Sequence, residues 1–195
     1  MMLLIDIDGV LLHPQPNFRS MMLEDTKWEG DDESFFKKLF ADEEYQESLR
    51  GRRDFTDFLR RFLPENGNPC TFELFMKWWC HPLIPNIELI DQLTNLNLEL
   101  SIATNQEKLR SAAVMSQLKP HVELDSVFIS HELGVAKPDH AFFSEVLSKI
   151  NLPPDAVTLI DDSIANIEAA IETGMNAVRF RGNDHVLESL RHMGV

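Results

Sequence analysis

An alternation running from Asn86 onward constrains this chain more than any other feature. Helix-like stretches take turns with short apolar runs: 87–96 before "LELSIA" (98–103), then 106–118, ended by Pro120, before "SVFIS" (126–130). Next come 139–150 before "AVTLI" (156–160), and 163–172, ended at Gly174, before "NAVRF" (176–180). The helical stretches put their apolar residues on one face, as Phe142, Phe143, Val146, Leu147 and Ile150 do, and the short apolar runs read as buried strands. Strands alternating with helices imply right-handed βαβ units and a parallel sheet covered on both faces. "LLIDIDGVLL" (3–12) adds one more strand at the start. The expected fold class is therefore α/β, a three-layer Rossmann-like parallel sheet with helices on both faces.

Residues 14–85 break this rhythm. After a proline-rich loop, "HPQPNF", helical patterns follow one another with no strand between them. Phe35, Phe36, Leu39 and Phe40 form one apolar stripe, and Phe55, Phe58, Leu59, Phe62 and Leu63 form a second, with Asp54 as N-cap and Pro64 as its stop. Leu74, Phe75, Trp78 and Trp79 form a third. The expectation is a small helical-bundle cap domain over 14–85, inserted into a catalytic core made of 1–13 and 86–195.

Ligands of open parallel sheets bind beyond the carboxyl ends of the strands, and the residues at those ends are chemically alike. Asp6, Asp8 and Gly9 follow the first strand, Thr104 and Asn105 follow "LELSIA", Lys137 stands in "GVAKPD", and Asp161, Asp162 and Ser163 follow "AVTLI". Carboxylates gathered without counter-charge repel one another and raise their own pKa values. A Mg²⁺ ion relieves the conflict, because it takes hard oxygen ligands and is commonly held by one or two carboxylates with phosphate and water. A carboxylate can attack phosphorus, a second can move the proton, and lysine, hydroxyl and backbone N–H groups can hold the phosphoryl oxygens. Each pattern has a plainer use when taken alone: a strand end with solvated acids, a helix cap, a surface loop. Together, in this order, they point to phosphoryl transfer.

"DIDGV" (6–10), "ATN" (103–105), "GVAKPD" (134–139) and "IDDS" (160–163) resemble the signature motifs of the haloacid dehalogenase-like hydrolase superfamily. The insert resembles the cap that some of its members carry after the first strand. "DDSIANIEAAIETG" is similar to the branch of small sugar-phosphate phosphatases and mutases. The resemblance implies that Asp6 is the nucleophile, Asp8 the general acid/base and Lys137 the cation that orients Asp6. Thr104, Asn105 and the N–H groups around Gly9 would bind the phosphoryl group. Asp6, the Asp8 backbone carbonyl and Asp162 would bind Mg²⁺, with Asp161 as a further or water-mediated ligand. Val10 stands where many relatives have threonine, a departure that removes no catalytic group.

The implied function is a Mg²⁺-dependent phosphohydrolase for a small phosphorylated metabolite, a sugar phosphate or similar. A sugar-phosphate mutase is the alternative, with a dehalogenase or a non-catalytic binding protein further off. Net charge narrows the partners: at −14, with 32 acidic against 18 basic residues, a nucleic-acid or anionic-membrane partner is not expected. The cations that do cluster, five arginines in "RGRRDFTDFLRR" (50–61), make Arg52 and Arg53 candidates for contact with the distal part of the substrate. Two cysteines without CxxC spacing and no leader-like N-terminus suggest a reduced, cytoplasmic protein, expected as a monomer or weak homodimer.

Overall fold

The computed structural model describes residues 1–194; Val195, the last residue of the expected core, lies outside the described residues. The strands are β1 (Met2–Ile5), β2 (Leu12–His13), β3 (Ile84–Pro85), β4 (Glu99–Thr104), β5 (Ser126–Ile129), β6 (Val157–Asp161) and β7 (Asn176–Arg179). Five of them form a parallel sheet in the order β5-β4-β1-β6-β7, so the first strand of the chain lies at its centre. Helices α1 (Phe18–Thr26), α2 (Asp32–Ala41), α3 (Glu43–Leu49), α4 (Phe55–Glu65) and α5 (Phe72–Trp79) lie between β2 and β3 in sequence. The others are α6 (Ile87–Thr94), α7 (Lys108–Leu118), α8 (Ser130–Leu133), α9 (His140–Lys149), α10 (Ile164–Glu172) and α11 (Asn183–His192). No helix among the described residues is long and apolar enough to cross a membrane.

The period-two alternation of strand side chains splits the core in two. Leu3, Ile5, Ile102 and Ile160 face one way, onto α6, α7 and α11 through Leu89, Val114, Leu118 and Leu190. Met2, Leu4, Val157 and Leu159 face the other way, onto Phe142, Phe143 and Val146 of α9 and Ala169 and Ala170 of α10. Both faces are covered, which is why the strands carry continuous apolar runs.

A third apolar cluster belongs to the inserted helices: Phe35, Leu39, Leu49, Phe55, Phe58, Leu59, Phe62 and Phe75 are all buried in it. Asp54 caps α4 as its position suggests, its carboxylate accepting from the N–H groups of Thr56 and Asp57. Pro64 does not stop α4 before itself but lies in its last turn, and Asn66 N still reaches the Phe62 carbonyl. The chain enters and leaves these helices through a ribbon the strand patterns did not foretell, β2 antiparallel to β3 with Leu12 opposite Pro85.

Replacing fully buried Leu159 by alanine is expected to cost about 3 kcal/mol, read as a lowered denaturant midpoint with the slope unchanged.

Candidate active site

The register of the sheet assembles the site. Ile5 of the central strand pairs with Ile102 on one side and Ile160 on the other, so the next residues, Asp6, Ala103 and Asp161, form one row at the carboxyl edge. Lys137 takes all three from the loop before α9. Its Nζ lies 3.1 Å from Asp6 Oδ2 and donates to Asp161 Oδ2 at 2.6 Å and to the Ala103 carbonyl at 2.7 Å. Lys137 as a whole is only 4% exposed. Burial disfavours its charge, but the two carboxylates more than offset that and hold its pKa above the ordinary lysine value. Burial, opposed by Lys137 and reinforced by the charges of Asp161 and Asp8, raises Asp6 to about 7.

Asp161 and Asp162 differ sharply. Asp161 is fully buried, and its oxygens accept from Lys137 Nζ, Ser163 N and Asn166 Nδ2, the last reaching both oxygens. Asp162 is exposed on the open side, its pKa raised by partial desolvation and by the neighbouring Asp161 charge. One carboxylate oxygen from each of Asp6, Asp161 and Asp162 lies within 4.8 Å of the others, a hard-oxygen set of the kind that holds a divalent cation. Gly9 makes the room: its φ is +77°, and a Cβ there would lie 2.6 Å from Asp162 Oδ2. Its N–H is not presented outward as expected but is spent on the Leu12 carbonyl at 3.0 Å. The contribution of Gly9 is space.

Asp8 has two partners the sequence analysis did not identify. Arg110 holds it bidentately, Nη1 to Oδ2 at 2.5 Å and Nη2 to Oδ1 at 2.8 Å, and Gln106 Nε2 donates to Oδ2 at 2.6 Å. Desolvation pushes the Asp8 carboxyl up, but these hydrogen bonds and the guanidinium charge together hold it below its ordinary value. Arg110 also donates from Nε to the Trp79 carbonyl at 3.1 Å, and the Trp79 indole donates to Glu107 Oε1 at 3.0 Å. Glu107, not Thr104 or Asn105, caps α7, accepting from the N–H groups of Leu109 and Arg110. A usable signal was present: Arg110 stands in the first turn of the helix that follows "ATN", and Gln106 immediately before its cap, both close to the strand ends.

The remaining candidates separate. Thr104 is buried at the end of β4, within 3.4 Å of Gln106 Nε2. The side chain of Asn105 is committed to the Lys137 backbone, donating to its carbonyl at 2.7 Å and accepting from its N–H at 2.9 Å, so it positions the lysine loop. Arg52 and Arg53 do not reach Asp8. Arg52 forms a bidentate pair with Glu47 and donates to the Gly134 carbonyl, and both arginines line a separate cavity with Lys108 and His131. The loop lies there because Gly51 abuts the His131 carbonyl too closely for any side chain. Arg110 and Lys137 are the cations bonded to the candidate acids Asp6, Asp8 and Asp161.

Above Asp8 and Gly9 opens a cavity of about 390 Å³ between the sheet edge and the inserted helices, with Asn105, Gln106 and Arg110 at its polar end. The carboxylate row, buried lysine and roofed cavity agree with the outcome of comparison with known proteins. The haloacid dehalogenase-like hydrolase family model matches residues 1–174, and the chain belongs to that family. It is a HAD-like hydrolase. Among curated relatives, drimenol cyclase drtB of Aspergillus calidoustus is 29% identical over 107 residues, 55% of this chain and 20% of that protein. Flavin mononucleotide hydrolase 1 of Arabidopsis thaliana is 30% identical over 108 residues, 55% of this chain and 44% of that protein. The aligned region therefore spans less than half the length of either relative. A HAD family enzyme of Bacteroides thetaiotaomicron, solved as a magnesium complex, shares the fold with a TM-score of 0.73 and 19% identity, 91% of each chain being covered.

Because the folded pKa of Asp8 is depressed, the Arg110–Asp8 pair stabilises the fold above the unfolded carboxylate pKa, ~3.9, and this is lost as pH falls through the folded value. The Asp8 side chain keeps 41% of its exposure, so the pair is screened. Arg110→Met is expected to cost about 1–2 kcal/mol at pH 7. In paired urea titrations the gap from the parent protein should narrow below pH 4.

Proposed function

We propose that this chain is a Mg²⁺-dependent phosphohydrolase acting on a small phosphate monoester through an aspartyl-phosphate on Asp6. The observation that carries this reading is the carboxylate set of Asp6, Asp161 and Asp162 beside the buried Lys137. The donor set fits Mg²⁺: oxygen ligands only, with Asp162 exposed and Asp6 beside Asp161 at the carboxyl end of the sheet. Asp6, Asp162 and the Asp8 backbone carbonyl would hold the ion, with Asp161, whose oxygens are already bonded, acting through water. The bound ion supplies Lewis-acid stabilisation of the phosphoryl oxygens. The magnesium complex of the Bacteroides enzyme and the flavin mononucleotide hydrolase of Arabidopsis support the same reading.

In this mechanism an Asp6 oxygen attacks phosphorus and the bond from phosphorus to the alcohol oxygen breaks. Asp8 gives its proton to the departing alkoxide. Water then attacks the aspartyl-phosphate, Asp8 takes the water proton, and phosphate leaves with the Asp6 carboxylate restored. Lys137 keeps Asp6 oriented and offsets the charge that gathers on the phosphoryl group. The resting structure holds Asp8 as a carboxylate against Arg110, the form that the second step needs. The first step needs Asp8 protonated and that grip loosened. We assign residues 14–85 the role of a cap on a core of 1–13 and 86–194, a division supported by the separate apolar cluster of the inserted helices and by the β2–β3 ribbon at their base.

Phosphate release from a panel of monoesters should require Mg²⁺, stop with EDTA, and fall by at least about 10³-fold in Asp6→Asn. Full rate in that variant, or no release from any ester, refutes the proposal. Since Asp6 binds a cation only when ionised and its pKa is raised to about 7, Mg²⁺ binding should release a proton. In calorimetric titrations the affinity should weaken by up to about tenfold per pH unit below 7.

A further inference from the structure

The cavity above Asp8 is lined largely by aromatic side chains. Its walls are Phe18, Phe36, Phe40, Phe75, Trp78 and Trp79, rings contributed by α1, α2 and α5. They pack on one another and not at random: Phe18 meets Trp78 edge-on at 5.7 Å, Phe36 stacks on Phe40 at 6.0 Å, and Phe75 stacks on Trp79 at 5.8 Å. Most polar atoms along this wall are already in use, the exception being His81 Nε2, which is buried without a partner. The Trp78 indole N–H donates to Asp25 at 2.8 Å and the Trp79 indole N–H to Glu107 at 3.0 Å. Gln106 and Arg110 are spent on Asp8. Burial keeps the Tyr45 phenol neutral, its pKa raised well above the ordinary value.

A sugar ring placed here would lose the water from several hydroxyls and meet aromatic carbon in return. Each buried hydroxyl left without a partner costs about 1–3 kcal/mol. A flat apolar group pays no such penalty and gains ring contacts on several sides. A cavity of about 390 Å³ also exceeds what a phosphoryl group alone requires and lies in the range of sites that enclose drug-sized ligands. Its polar end adjoins Asp8 and Gly9, so a phosphate ester with its phosphorus at Asp6 would direct its alcohol portion into the rings.

The geometry points to a phosphate monoester of an aromatic or extended apolar alcohol as the substrate class, with the inserted helices holding the alcohol portion by ring contact. This inference rests on the phosphohydrolase reading and narrows it, replacing the sugar phosphate that the sequence motifs suggest. Phe18 and Phe40 become specificity-determining residues: Phe18 is half-buried and Phe40 is 47% exposed, so both can be replaced without opening the cluster around Phe58 and Leu59.

The test compares 2-(1-naphthyl)ethyl phosphate with glucose 6-phosphate and glycerol 3-phosphate. All three are esters of primary alcohols, so differences report on binding and not on leaving-group chemistry. The naphthyl ester should show kcat/KM at least about thirty-fold above either polar ester. The Phe18→Asn/Phe40→Asn double variant should narrow that ratio by about five-fold or more, through loss of the naphthyl rate while the rates on the two polar esters hold. In the Asp6→Asn protein, 2-(1-naphthyl)ethanol should change the tryptophan emission, since Trp78 and Trp79 line the cavity. Equal or faster turnover of the polar esters, an unmoved ratio in the double variant, or an unchanged emission overturns the inference while leaving the phosphohydrolase reading intact. Release of phosphate from none of the esters overturns both.

Discussion

One ammonium group holds this site together. Lys137 is buried where β1, β4 and β6 end, and its three bonds join the first residue beyond β1, the penultimate residue of β4 and the last residue of β6. Without it, two carboxylates would lie side by side in a low-dielectric edge, and one would have to take a proton. With it, the sheet brings Asp6 and Asp161 into one row, and the cost that remains shows as the raised pKa of Asp6. The support is layered: Asn105 clamps the lysine backbone, and Asn166 and Ser163 fix Asp161 from the opposite side. Of the four acids, Asp162 is exposed and Asp8 lines the cavity, while Asp6 and Asp161 are buried.

The second organising contact is Arg110. It fixes Asp8 in the core and bonds the Trp79 carbonyl in the inserted helices, so one side chain touches both the acid and the wall of the cavity. Electrostatics at the sheet edge and packing in the insert therefore share a residue. A change in how α5 sits is felt at Asp8 through one guanidinium.

Much of this was legible in the sequence, and what was not has identifiable causes. The strands could be read because a sheet covered on both faces demands unbroken apolar runs, and the acids stood out because they end those runs. Register then does the rest, since parallel pairing carries Asp6 and Asp161 to the same row. Arg110 was harder to read because its partner is 102 positions away, so only its place in the first turn after "ATN" distinguished it from a solvated basic residue. Arg52 and Arg53 drew attention by density alone, yet Glu47 and the seat of Gly51 on α8 keep Arg52 on another cavity. The aromatic stripes were correctly placed on helices, but periodicity alone does not divide a stripe. Phe35, Phe58 and Phe62 fill the cluster, Phe36 and Trp79 pack against it while lining the cavity, and Phe40 lines the cavity alone.

The two-residue ribbon at the base of the insert has a consequence for how such a molecule diversifies. Leu12 and Pro85 are directly paired, so to the sheet the whole helical layer is a hairpin turn of unusual size. The entropy of closing a loop grows only with the logarithm of its length, and the strands beneath sense the ends of the insertion far more than its contents. The helices are thus free to lengthen, shrink or trade rings for polar groups while the row of Asp6, Lys137 and Asp161 stays in register. Recognition and chemistry can drift at separate rates within one polypeptide.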